Sequence, residues 1–247
     1  ADLLIREKAV GRAGLPDPLQ ALPDDHPYAG FAGLAPDLST DAIVEGYARG
    51  LMLDARLATP VWWAPTRRTL AHPGVVAAAL VRDAAHAGLR FSLDANVELC
   101  LRGCRRGGLA IDAAVMMALC ALYDLGLVHS WEVRDDAGDL RAAGVGLAVG
   151  QTFFCVNGFA RDAAAGRYGL AHLAAHLERW DYAILDAQAL AMVSPALVDR
   201  AGFGAADRES FLALLSLHLR GGRTRLHWRA DEATSRARAA APIEAAA

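Results

Sequence analysis

VHSWEVRDDAGDLRAAGVGLAVGQTFFCV, residues 128–156, holds three apolar runs rich in β-branched and aromatic residues: Val128 to Arg134, Leu140 to Val149 and Thr152 to Val156. Such runs predict strands, and Asp135, Asp136, Ala137 and Gly138 supply the turn chemistry between the first two. Immediately upstream, Asp112 to Leu125 reads as a helix capped by Asp112 and stopped by Gly126. Further out, Val75 to Gly88 reads as a helix, Arg90 to Leu93 as a strand, and Asp94 to Cys104 as a helix capped near Asp94. Downstream come a helix from about Gly169 to Arg179, a strand from Tyr182 to Leu185, and a helix from Asp207 to Arg220.

The N-terminal part has a different texture. Leu15 to Leu38 is rich in Pro, Gly and Asp and predicts turns. Ser39 or Thr40 caps a helix whose Ile43, Val44, Tyr47 and Leu51 share one face, with Gly50 near its stop. Ala58 to Ala64 predicts a short strand ended by Pro65. Helices first, then strands, then helix, strand, helix argue for an α+β fold with a mixed sheet and flanking helices, not a doubly wound one. The expected division is a small N-terminal domain over residues 1–65, a main domain over 66–229, and a frayed Ala- and Arg-rich tail over 230–247.

At 247 residues and 54% hydrophobic side chains, the chain is long enough to bury a sizeable core. Its apolar stretches are interrupted before the roughly 18–20 residues that a membrane helix needs, and residues 1–14 lack the uninterrupted apolar core of a secretory signal. A cytoplasmic location without membrane contact is expected. Cys100, Cys104, Cys120 and Cys155 lack disulfide or zinc spacing and read as free thiols, so no metal is implied. No GxGxxG or P-loop spacing supports a nucleotide cofactor. The net charge of −3 gives no general case for nucleic acid. Arginines nevertheless cluster at Arg67 and Arg68, at Arg102, Arg105 and Arg106, and at Arg220, Arg223, Arg225 and Arg229, where solvated faces are the plain reading.

Leu185-Asp186-Ala187-Gln188 carries the chemistry. Residues two apart on a strand share a face, so Asp186 and Gln188 are expected side by side. Asp accepts a proton or orients an amine, and Gln donates and accepts, bridging the carboxylate to a reacting group. The same pair also suits a hydrogen-bonded closure of a buried strand end.

From about Leu15 to Leu215 the sequence resembles the leucyl/phenylalanyl-tRNA protein transferases. The matching pieces, in the family's order, are Leu15-Pro16-Asp17-Pro18, Gly33-Leu34-Ala35-Pro36-Asp37-Leu38, Tyr47-Ala48-Arg49-Gly50, Val61-Trp62-Trp63-Ala64-Pro65, Leu125 to Val133, and Leu185 to Gln188. The resemblance implies a small N-terminal domain followed by an acetyltransferase-like (Gcn5-related) domain. It further implies an enzyme that moves a hydrophobic amino acid from aminoacyl-tRNA to an amino-group acceptor, with no cofactor. Asp186 and Gln188 stand where the family has its catalytic acid and amide. Phe153, Phe159, Leu170 and Leu185 align with the donor side-chain pocket, though such residues equally make ordinary core. Arg167 stands where the family carries a Lys and is expected to meet phosphate, or to lie on the surface at a helix start. His129 and Glu132 match the family and read as a structural pair.

The departures reshape the expected substrate. Val156, in Cys155-Val156-Asn157-Gly158-Phe159-Ala160, replaces the family's acceptor-holding Glu, and Gly158 replaces a Met, which deepens or reshapes the donor pocket. Asp54 and Leu109 stand where the family has adenosine-stacking aromatics, leaving Trp62 and Trp63 to take over stacking worth about 1–3 kcal/mol per base. These changes point to a diverged acceptor such as a small-molecule amine of biosynthetic type. Transfer to N-terminal Arg or Lys of proteins stays open. So do a CoA-dependent acyltransferase using Gly166-Arg167-Tyr168-Gly169 as a phosphate loop, and a non-catalytic tRNA- or protein-binding module.

Overall fold

Ser39 begins the first regular helix as its side chain predicts, accepting the Ala42 amide at 3.3 Å. In the computed structural model, residues 14–54, 59–86, 88–107, 111–219 and 228–229 are described. Along the chain these form β1 (Phe31–Leu34), α1 (Thr40–Ala48), β2 (Met52–Asp54), β3 (Val61–Trp63), β4 (Arg67–Ala71) and α2 (Pro73–Ala79). There follow β5 (Leu89–Leu93), α3 (Val97–Gly107), α4 (Ala113–Asp124), β6 (Val128–Asp135), β7 (Leu140–Val149) and β8 (Thr152–Ala160). The chain continues with α5 (Ala163–Arg179), β9 (Ile184–Asp186), α6 (Ala189–Val193), α7 (Pro195–Arg200), β10 (Gly204–Asp207) and α8 (Arg208–His218).

The three runs read within residues 128–156 do fold as consecutive antiparallel strands, the third extending beyond its expected end at Val156 to Ala160, and they form the heart of a seven-stranded sheet ordered β10-β4-β9-β8-β7-β6-β5. Among the described residues only β8 and β9 pair in parallel, joined by the long crossover helix α5. The fold is a mixed sheet with flanking helices. A separate three-stranded antiparallel sheet, ordered β1-β3-β2, is built from residues 31–63.

Both faces of the large sheet are covered. Alternation sends Ala143, Val145, Leu147 and Phe154 into one apolar cluster with Leu101 of α3 and Leu119 of α4. Ala142, Phe153 and Cys155 go to the other, with Val76 of α2 and Leu170 and Leu173 of α5. The first cluster runs on into Ile43, Tyr47 and Trp62, so the small sheet and the large one share a core. Burying each such side chain contributes about 1.5–3 kcal/mol, against about 0–1 for an exposed pair like Arg90–Asp136. Apolar packing therefore decides the architecture.

Several elements differ from the sequence reading. Strands β1, β2, β4 and β10 are three to five residues long, too short to show a period, and exist because tertiary pairing overrides propensity. Helix α2 ends at Ala79 instead of Gly88: Leu80 is buried, and a 3-10 turn at Asp83–Ala85 follows. Helix α5 starts at Ala163, six residues early, because Asp162 caps it through the Ala165 amide at 2.8 Å. Asn96, not Asp94, caps α3 by accepting the Leu99 amide. Asp94 instead adopts φ 50° and turns its carboxylate inward. Residues 1–13, Leu109, Arg220, Arg223, Arg225 and the tail from 230 lie outside the described residues.

Candidate transfer site

Strand β9 is central, held antiparallel to β4 and parallel to β8, with Asp186 opposite Leu70 on one side and Phe154 on the other. That position seals Asp186, whose side chain is 1% exposed. Its charge is met by Arg68 of β4, itself 3% exposed, which donates from Nε at 3.1 Å and from a second guanidinium nitrogen to the same oxygen, Oδ2. The remaining guanidinium nitrogen donates to the Gly50 carbonyl at 3.2 Å, and the group lies 4.4 Å from the centre of the Phe211 ring. Arg67, one residue earlier, is exposed, so a period-2 strand separates two identical side chains.

Gly50 fits this place because it sits at φ 84° beyond the end of α1, and a Cβ there would lie 2.3 Å from Leu212. Its carbonyl is thereby fixed for Arg68. In the sequence this arginine reads as half of a surface pair; only strand alternation separates it from Arg67.

Asp186 and Gln188 are brought together, though not as neighbours on a strand. The strand ends at Asp186, and Gln188 precedes α6 with φ 33° and ψ −110°. Contact runs through the backbone: the Gln188 amide donates to Asp186 Oδ1 at 3.2 Å. The Gln188 side-chain nitrogen Nε2 is buried and has no hydrogen-bond partner among the described residues.

The apolar residues aligned with the donor pocket do not form one group. Leu147 pairs with Phe154 and Val145 with Asn157, so β8 carries one more residue than β7 across this interval, a bulge. It inverts the facing of the residues beyond it, Phe159 among them, whereas Val156 is set opposite Phe153 by ordinary alternation. Phe153 joins Leu170 and Leu185 in the cluster under α5, whereas Phe159 and Val156 face the opposite cluster, with the Phe159 ring against Gly103 and Gly107 of α3. Gly158 does not open a hollow either. The Trp131 indole lies 3.9 Å from where its Cβ would be, and Cβ atoms at Gly144 and Gly169 would each stand 2.5 Å from the same ring. Three glycines from β7, β8 and α5 thus cradle one tryptophan.

Asn157 is buried, with Oδ1 accepting the Gly158 amide at 2.8 Å. Arg167 lies inside α5, not at its start, and pairs through Nε with Asp83 at 2.6 Å. Gly166 to Gly169 are helical, and the Gly166 amide donates to the Asp162 carbonyl. They make no open phosphate loop, which removes the basis of the CoA reading. Trp62 is 1% exposed and packs across Gly46 and edge-on to Tyr47. Trp63 is half-buried and meets Phe31 edge-on. A cleft of about 600 Å³ opens between Leu15, Gly33, Asp37, Asp41 and Trp62; Asp186 and Gln188 do not line it.

His129 and Glu132 are buried but have separate partners. His129 Nδ1 meets Asp94 at 2.8 Å and its ring is stacked by Trp228 at 3.8 Å between centroids. Glu132 accepts from Ser92, Asn96, Cys100 and Ser130. This tie fastens the start of α3 to β6, which is a structural role. Burial, and then the Glu132 carboxylate, push the Cys100 thiol far up, and burial alone pushes Cys104 to about 12. All four cysteines are free thiols. Among the described residues no cluster of His, Cys, Asp and Glu is arranged to hold a metal, and no helix is long and apolar enough to cross a membrane.

A family model described as leucyl/phenylalanyl-tRNA protein transferase matches residues 74–216. A leucyl/phenylalanyl-tRNA–protein transferase of Shewanella halifaxensis is 32% identical over 217 residues, covering 85% of this chain and 88% of that protein. One from Alkalilimnicola ehrlichii is 32% identical over 228 residues, covering 89% and 86%. Among solved structures, the crystal structure of FemX aligns over 68% of this chain and 66% of that chain, at 9% identity and a TM-score of 0.46. With its family model spanning more than half of the sequence and such relatives matching nearly end to end, the chain belongs to the leucyl/phenylalanyl-tRNA protein transferase family.

Proposed function

We propose that this chain transfers a hydrophobic amino acid from aminoacyl-tRNA to the α-amino group at a protein N terminus, forming a peptide bond. The observation that carries the reading is the buried Arg68–Asp186–Gln188 group on β4 and β9 of a chain that belongs to this family. An aminoacyl ester is already activated, so the enzyme has mainly to align the amine and stabilise the oxyanion that forms on the carbonyl. We take residues 66–229 as the transferase unit, of acetyltransferase-like type, supported by the parallel β8–β9 pair and its crossover α5. Residues 1–65 are then the small accessory domain.

Phe153, Leu170 and Leu185, with Trp131, are the residues we assign to the donor side chain, because they share one face of the sheet. The bulge withholds Phe159 from that role, and Val156 lies on the other face by strand alternation alone. A small-molecule acceptor, suggested by Val156, finds no support among the relatives, which are named as protein transferases. The missing carboxylate instead predicts weak preference for a basic first residue.

The test is direct. Purified protein is incubated with labelled leucyl-, phenylalanyl- and methionyl-tRNA and with peptides beginning in Arg, Lys or Ala. Labelled peptide, with less than about tenfold preference for Arg over Ala, is expected; one carboxylate–guanidinium contact is worth about 1.5–3 kcal/mol. Transfer to free small amines and to no peptide would overturn the protein acceptor.

A further inference from the structure

We propose that Arg68 is the positioning residue of this site: through Asp186 it fixes the Gln188 turn, so that Gln188 Nε2 is presented as a hydrogen-bond donor to the carbonyl oxygen of the ester. The inference rests on the transfer reading above and assigns roles within it.

Four observations converge. Arg68 and Asp186 are both almost wholly buried, a costly arrangement that contributes little net stability and is understandable where geometry has to be fixed. Three hydrogen bonds already engage the carboxylate, two from Arg68 at Oδ2 and one from the Gln188 amide at Oδ1. Asp186 is therefore built to hold and is poorly placed to take a proton from an incoming amine. Gln188 adopts a positive φ that is strained for a residue other than glycine and persists only where the surroundings impose it. Finally, Nε2 of Gln188 is a buried donor without a partner among the described residues, and such a group calls for an acceptor that arrives with the ligand.

The step balances without a further reactant. The acceptor amine nitrogen bonds to the ester carbon, and the carbonyl π pair moves onto oxygen, where Nε2 of Gln188 donates. Collapse of this intermediate breaks the bond from carbon to the ribose oxygen. That oxygen receives the proton lost by the nitrogen, giving an amide and a free tRNA hydroxyl.

Single and paired substitutions separate this reading from one in which Asp186 is the proton acceptor. With leucyl-tRNA and an Arg-starting peptide, Gln188→Glu is expected to lower kcat by about 100- to 1000-fold, as loss of an oxyanion donor does, with KM for leucyl-tRNA changed less than about threefold. Arg68→Lys keeps the charge but loses the forked geometry, and is expected to lower kcat about 10- to 100-fold with the pH profile unmoved. The neutral pair Arg68→Gln with Asp186→Asn keeps donors and acceptors without burying a lone charge. It is expected to exceed Asp186→Asn alone by tenfold or more. A double variant no more active than Asp186→Asn, with a native melting curve, overturns the proposal.

Hydrogen exchange gives a readout independent of transfer. In Arg68→Lys, the peptide over residues 186–190 is expected to exchange at least tenfold faster, with peptides from β6 and β7 unchanged. Equal exchange in wild type and variant also overturns the proposal. Wild type that moves no amino acid to any acceptor defeats the transfer reading instead, and leaves the exchange result to judge the positioning role.

Discussion

Arg67 and Arg68 are the same residue type one position apart, and the fold gives them opposite fates. Replacing Arg68 with Met strands the Asp186 carboxylate in the interior and is expected to cost about 3–5 kcal/mol. Arg67→Met changes an exposed side chain and is expected to stay within about 0.5 kcal/mol. Urea denaturation of both variants at pH 7 measures the contrast, and equal effects would remove the argument. The sequence shows why Asp186 and Gln188 attract notice, since an acid and an amide end a strand. It is silent on Arg68, because β4 is too short for its alternation to be read before its partners in β9 and β10 are known. The Gln188 conformation was equally hidden: a strand reading places its side chain beside Asp186, whereas the chain turns sharply and uses its amide.

Among elements, α5 shows what one capping residue can do. Asp162 accepts the Ala165 amide and pairs with Arg141 at 2.7 Å. The Ala165 amide, and then Arg141, hold its carboxyl below the ordinary carboxylate range. A lowered folded value means that the contribution is present above the unfolded value, near pH 4, and is lost as pH falls through the folded value. Asp162→Ala is therefore expected to lose about 1 kcal/mol at pH 7. Its deficit against wild type should shrink as pH drops below about 4. Chemical denaturation across that range checks the sign; a deficit that grew on acidification would contradict it.

The main helices and the three central strands were legible because period and cap agree over ten or so residues. Asp162 does not announce itself as a cap, since the small residues Ala163 to Gly166 give no periodic signal. The bulge in β8 was also illegible: Cys155 and Val156, which form it, are neither glycine nor proline, and it arises from pairing with β7. Yet this single extra residue decides which of the aligned apolar side chains can share a pocket.

Across the whole molecule, the two sheets are joined by apolar contact, with Tyr47 of α1 edge-on to Phe154 of β8 at 5.0 Å and Gly50 pressed against Leu212 of α8. A shared cluster of this kind predicts one cooperative unfolding event, despite the compositional break after residue 65. Calorimetry should give a single endotherm with matching van't Hoff and calorimetric enthalpies. Two resolved transitions would show that the small sheet melts by itself. Sequence texture marks where the elements change, but not that a core continues across the change, because neither side of that contact carries a distinctive pattern.

Arg68 and its counterion are 118 residues apart in the chain. At about 5–20 residues per second, a ribosome completes that interval in roughly 6–24 s. Throughout it, the newly made arginine waits with no carboxylate to meet it and β4 waits with no neighbour on its inner side. The buried Arg68–Asp186 pair, and the β4–β9 pairing beside it, thus stay out of reach of the emerging polypeptide until β9 has left the ribosome.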